Sequence, residues 1–185
     1  MSHIAVLAWG SLKWDRRQLV VRGGWRDDGP TLQLEFSRRS FDGRLTLVID
    51  QADGEACRSG WWESGLTNMD AAIVNLADRE GSGSIGSIDL ESSTDQDSKR
   101  QAGDSIREWL RKVGLDAVIW TDLKPNFREK CGYQFSVEAA MSYLRQLEGQ
   151  TRSLAWEYLE RAPVAVQTPL RRRLIAEGWI QMRSH

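Results

Sequence analysis

Histidine is almost missing from this sequence: His3 and His185 are the two copies in 185 residues, and they stand near the two ends of the chain. An interior without imidazole excludes a histidine-based catalytic triad, a His-ligated metal centre and a histidine general base. Acid–base chemistry therefore falls to carboxylates, lysine, tyrosine or cysteine. Cysteine is equally scarce. Cys57 and Cys131 stand far apart and outside any C-x-x-C spacing, which excludes a disulfide framework or a cysteine zinc site and reads as two buried or half-buried free thiols. Long apolar runs are absent too. The longest, Ile4 to Trp9, falls far short of the roughly 20 residues a membrane-spanning helix needs. No basic-flanked signal segment precedes it, so the chain is expected to stay in the cytoplasm. Lys and Arg number 25 against 26 Asp and Glu, a net charge of −1, which gives no global attraction to nucleic acid or anionic lipid.

What is present has the patterning of an α+β protein. Ile4-Ala5-Val6-Leu7-Ala8-Trp9 is continuously apolar, as expected of a strand covered on both faces, and Gly10-Ser11 stops it. Leu32 to Phe36 alternates as a half-buried strand does; Asp42-Gly43 turns the chain into a strand over 44–49, and Asp53-Gly54 into another over 56–63. A helix is expected from Asn68 to Arg79, entered through the capping-box pattern Thr67-x-x-Asp70. Short strands follow at 84–90 and 117–120, an acidic loop at 91–97, and a helix at 99–113. The last third reads as helices at 137–147, 154–159 and 169–177, with a break at Pro163.

Glu80 is the most informative polar residue. On a helical wheel at about 100° per residue, Ile73, Leu76 and Glu80 fall within roughly 40° of Met69, so Glu80 ends the apolar stripe. A carboxylate there is either paired with an arginine or desolvated with a raised pKa, the condition of a general base near neutral pH. Gly10-Ser11 after a buried strand is either a plain turn or a place where backbone amides diverge to line an anion site. Gly81-Ser82-Gly83-Ser84-Ile85-Gly86 matches G-x-G-x-x-G, but it follows a helix and enters a strand, the reverse of a dinucleotide site. Trp61 and Trp62 are adjacent in a strand and point to opposite faces, as core residues or as the wall of a cleft. Arg171-Arg172-Arg173 reads as a solvated helix face rather than a nucleic-acid contact.

Two of these motifs together resemble the γ-glutamylcyclotransferase-like superfamily. Its N-terminal strand ends in a Tyr/Phe-Gly-Ser-Leu turn. Here Trp9-Gly10-Ser11-Leu12 stands in that place, and Gly10-Ser11-Leu12-Lys13-Trp14 is similar to the Gly-Ser-Leu-x-Trp of the glutathione-acting branch. The second motif is a Gly-x-x-Trp strand, a turn and a helix closing in Arg-Glu, matched by Gly60-Trp61-Trp62-Glu63 and by Leu76 to Gly81. The resemblance covers residues 3–122. It implies a small mixed, partly closed β-barrel of about five to seven strands with helices outside, in a domain of residues 1–122, followed by a helical extension, 123–185, packed on the same domain. It further implies a metal- and cofactor-independent lyase or acyltransferase that cleaves a γ-glutamyl amine or peptide to 5-oxoproline. In that scheme Glu80 is the acid/base, Trp9, Gly10, Ser11 and Leu12 bind the glutamyl group, and Glu63 and Trp62 are secondary candidates. The expected partner is a small γ-glutamyl compound, with no membrane or nucleic acid involved. Trp9 departs from the family's Tyr or Phe, and a non-catalytic binding or regulatory module of the same fold is the alternative.

Overall fold

The apolar run at the N-terminus forms β1 (Ile4–Ala8), and all five of its residues are buried, so it is covered on both faces as its composition requires. The computed structural model describes residues 2–91 and 101–181. These fall into two compact units, Met1–Leu32 with Arg58–Leu123, and Gln33–Cys57 with Lys124–His185. The segment 33–57 thus groups with the C-terminal part of the chain, whereas the sequence reading attached it to residues 1–122.

In the first unit, β1 is the middle strand of a five-stranded sheet. Its other strands are β2 (Val21–Arg26), β6 (Gly60–Ser64), β7 (Ile85–Asp89) and β8 (Ala117–Thr121), and the order is β2-β6-β1-β8-β7. β1 runs antiparallel to β6, with Val6 opposite Trp62, and parallel to β8, with Val6 opposite Ile119. One face carries Ile4, Val6, Ala8, Trp62 and Ile119, covered by Ala72 and Leu76 of helix α1 (Met69–Glu80). Helix α2 (Gln101–Val113) sets Trp109 edge-on to Trp61, 5.5 Å between ring centroids, and Ile106 and Leu110 are fully buried. Trp61 and Trp62 therefore do point to opposite faces, and both are buried.

α1 begins one residue later than its sequence pattern indicated. Asn68 is the N-cap, its Oδ1 accepting from the Ala71 amide at 2.9 Å, so the Thr67 capping box is replaced by an Asn cap. Gly81 ends the helix in the left-handed region, φ 62°, a conformation open to glycine at little cost. Gly86, the last glycine of the apparent dinucleotide motif, lies in β7 against Trp120; a Cβ there would meet the indole at 2.3 Å. Packing against tryptophan is why this position holds glycine.

In the second unit, β3 (Thr31–Arg39), β4 (Leu45–Ile49) and β5 (Glu55–Arg58) form a three-stranded sheet of order β4-β3-β5. The single strand expected over 56–63 is in fact two, β5 and β6, which break at Ser59 and join different sheets. The helices are α3 (Phe127–Cys131), α4 (Val137–Arg145), α5 (Gly149–Arg161) and α6 (Pro169–Ala176). Among the described residues there are thus eight strands in two sheets, and neither sheet closes on itself as a barrel. Most of the acidic stretch 91–97 and the expected helix start at Lys99 lie outside the described residues. Among those described, no helix is long and apolar enough to cross a membrane.

Of the triple arginine, Arg172 and Arg173 are exposed as a solvated face requires, but Arg171 is not. Arg171 is fully buried, and its guanidinium donates to the carbonyls of Pro163, Val166 and Ala162 at 2.6–2.8 Å. Those carbonyls lie in the loop after α5, and a five-donor guanidinium is suited to collect several of them. Arg172 pairs with Glu55 and Arg173 with Glu177, so each charge already has a protein partner.

Candidate active site

The end of β1 is shaped by a single 3-10 turn, Ser11–Lys13. The Lys13 amide donates to the Gly10 carbonyl at 3.1 Å, and the Trp14 and Asp15 amides to the Ser11 carbonyl at 3.1 and 2.8 Å. The amides of Ser11 and Leu12 stand at the start of this turn, where no acceptor exists within the turn itself. Below it, Trp62 Nε1 donates to the Leu12 carbonyl at 3.0 Å, and the Arg16 guanidinium covers the Trp62 ring at 4.7 Å. Trp62 is thus a buried support for the turn. Leu12 and Trp9 are buried as well, whereas Ser11 is half-buried.

α1 fastens the following loop with two side chains one helical turn apart. Asn75 accepts from the Val20 amide at 2.9 Å and donates to the Gln18 carbonyl at 3.1 Å. Arg79, four residues on, faces the same way. Its guanidinium is 4 % exposed and donates from Nε and Nη2 to the Asp15 carbonyl. Nη2 also reaches Ser11 Oγ at 3.3 Å, and Nη1 reaches Glu80 Oε1 at 2.8 Å. One planar group therefore bridges the hydroxyl after β1 and the carboxylate at the end of α1, 68 and 1 residues away in sequence. The Asp15 carboxylate lies 3.8 Å from the same guanidinium.

Both sequence readings of Glu80 hold at once: the carboxylate is paired with an arginine, and it is largely desolvated. Burial pushes its carboxyl above the ordinary value, while the Arg79 charge and hydrogen bond pull against that rise, as does Arg17 from further off. Glu80 is therefore oriented by its neighbour and held above the ordinary carboxylate value by burial.

The structure gathers Gly10, Ser11, Leu12, Trp62 and Glu80 at one end of the sheet, and it separates Glu63 from them. In β6 Trp62 faces α1, so Glu63 next to it faces the other way. There its carboxylate lies 3.2 Å from His3 Nδ1, 3.9 Å from Arg22 and 3.7 Å from Arg26, an ion cluster on the opposite face of the sheet. Sequence reasoning passed over Arg79 as a participant. Its position three residues beyond Leu76, on the edge of the apolar stripe, was the available signal.

Among the described residues, no group of three or more His, Cys, Asp or Glu side chains is arranged to hold a metal ion. Comparison with known proteins gives no match: no family model, no curated protein and no solved structure matches this chain.

Proposed function

We propose that the protein is a γ-glutamylcyclotransferase-like enzyme that cleaves a γ-glutamyl amine or peptide to 5-oxoproline, with Glu80 as its acid/base. The observation that carries this reading is the shared guanidinium of Arg79, which joins the Gly10-Ser11-Leu12 turn to the Glu80 carboxylate. The turn holds the glutamyl end of the substrate through its leading amides. Glu80 takes a proton from the substrate's α-ammonium, and the freed amine attacks the γ-carbonyl carbon. The new carbon–nitrogen bond closes a five-membered ring. As the old amide bond breaks, the protonated Glu80 gives its proton to the departing nitrogen. The ring nitrogen sheds its extra proton back through Glu80, and the released amine leaves as its ammonium ion.

Because nucleophile and electrophile belong to one molecule, orientation supplies much of the rate and the protein moves only protons. The reading carries with it the family's partly closed β-barrel, supported by the mixed five-stranded sheet around β1. It also sets the protein in the cytoplasm, in keeping with two free thiols.

A second reading, a non-catalytic small-molecule-binding module, is favoured by the ion pair itself, since Arg79 already occupies Glu80 Oε1. The two readings separate in one experiment. The full chain is incubated with glutathione and a panel of γ-glutamyl amines, and 5-oxoproline is measured by mass spectrometry alongside thermal unfolding. Product release supports the enzyme; ligand-dependent stabilisation without product supports the binding module; neither result with any panel member refutes both.

A further inference from the structure

In the second unit a cavity of about 420 Å³ opens between β3, the turn after β4 and α3. We propose that this cavity is a binding site for a small organic ammonium compound with an apolar body. Its floor carries Ser37, which is fully buried, and Asp50, which is 4 % exposed. Each carries a buried oxygen with no hydrogen-bond partner among the described residues: Ser37 Oγ and Asp50 Oδ2. Buried polar atoms are almost always satisfied, and a carboxylate oxygen left alone is costly. Two such atoms in the lining of one cavity mark a place where a ligand donor completes the structure.

The other half of Asp50 is fully engaged. Oδ1 accepts from the Ala52 and Asp53 amides at 3.0 and 3.1 Å, which fixes the carboxylate. Asp53 also lines the cavity, and burial together with the neighbouring Asp50 charge raises its carboxyl above the ordinary value. Two carboxylates crowded at one wall favour a cation. The lining also includes two aromatic rings, Phe127 and Phe135, edge-to-face at 5.3 Å and both buried, beside Pro125, Asn126 and Gln134. Phenyl rings offer apolar contact and a negative face to an ammonium group.

The volume is that of a small-molecule pocket and far exceeds one bare ion. Arg128 and Glu129 of the lining are exposed, and Glu129 pairs with Lys130, while the buried charge of the lining comes from Asp50. This site is independent of the proposed chemistry at Glu80.

The test uses three probes of one shape: 2-phenylethylamine, neutral 2-phenylethanol and anionic phenylacetate. Each is titrated into the full chain at neutral pH, with affinity read by calorimetry and location by amide chemical shifts. The amine is expected to bind with shifts gathered around residues 37, 50, 127 and 135, and at least about tenfold more tightly than either analogue. Asp50→Asn keeps the Oδ1 acceptor and removes the charge, and it is expected to weaken the amine at least about tenfold. Ser37→Ala, a milder change that serves if Asp50→Asn fails to fold, is expected to weaken it about threefold. Absence of amine binding at millimolar concentration, equal binding of phenylacetate, shifts gathered elsewhere, or an unchanged affinity in both variants would overturn the proposal.

Discussion

The two units each bury an arginine and largely desolvate a carboxylate, and they partner them differently. In the second unit Nη1 and Nη2 of Arg171 donate to main-chain carbonyls, its Nε has no partner among the described residues, and burial brings its pKa down to about 10. Glu35, on β3, accepts from the main-chain amides of Phe36 at 2.7 Å and of Leu170 at the start of α6 at 3.2 Å, and is also hydrogen-bonded to the Thr168 side chain. In the first unit Arg79 donates to the Asp15 main-chain carbonyl and also to two side chains, the Glu80 carboxylate and the Ser11 hydroxyl. The buried groups of the second unit are held mainly by main-chain atoms, whereas the Glu80 carboxylate is held by a side chain that also reaches the turn after β1, and that is why the proposed chemistry is placed at the Ser11–Arg79–Glu80 cluster.

Removing the guanidinium at Arg171 is the harshest way to break this contrast. Arg171→Leu leaves several buried carbonyls without donors and is expected to destabilise the protein by about 3–5 kcal/mol, read by chemical denaturation. Glu35 gives a pH-dependent version. Burial raises its carboxyl from 4.5 to about 7, so its stabilising contribution is fully present below about pH 4.5 and is lost as pH rises through about 7. The span amounts to about 3 kcal/mol, and Glu35→Gln is expected to flatten stability against pH across that window. Arg79→Lys keeps the charge but loses the fork. It is expected to cost about 1–2 kcal/mol, and to move the pH–rate profile of 5-oxoproline release upward as Glu80 loses the bond that holds its pKa down. The smallest effect belongs to the cap: Asn68→Ala lowers thermal stability by about 1 kcal/mol and leaves the cluster in place.

Much of the first unit was legible in the sequence because its signals are local. Five apolar residues in a row make β1, the stripe Met69-Ile73-Leu76 makes α1, and a glycine ends each of them. Glu80's inward position follows from the same wheel. The parts that escaped depend on contacts distant in sequence. Nothing between Ala56 and Glu63 announces that the chain changes sheets at Ser59, because alternation simply continues. Arg171 looks like its two neighbours until the carbonyls after α5 are brought to it. Arg79 was hidden by its charge, which ordinarily signals exposure, although its three-residue offset from Leu76 put it at the buried edge. Glu63 and Trp62, adjacent in sequence, were assigned to one site, and the pleat sends them to opposite faces.

The central claim, that the carboxylate held by Arg79 moves protons rather than merely pairing, is tested most directly by comparing wild type with Glu80→Gln. The variant keeps an oxygen acceptor for Arg79 and removes the base. Both proteins are incubated with the γ-glutamyl substrate that wild type turns over, with circular dichroism and unfolding showing that they fold alike. The account predicts that 5-oxoproline release falls by about 10²–10⁴-fold in the variant. Equal release from both folded proteins would contradict it.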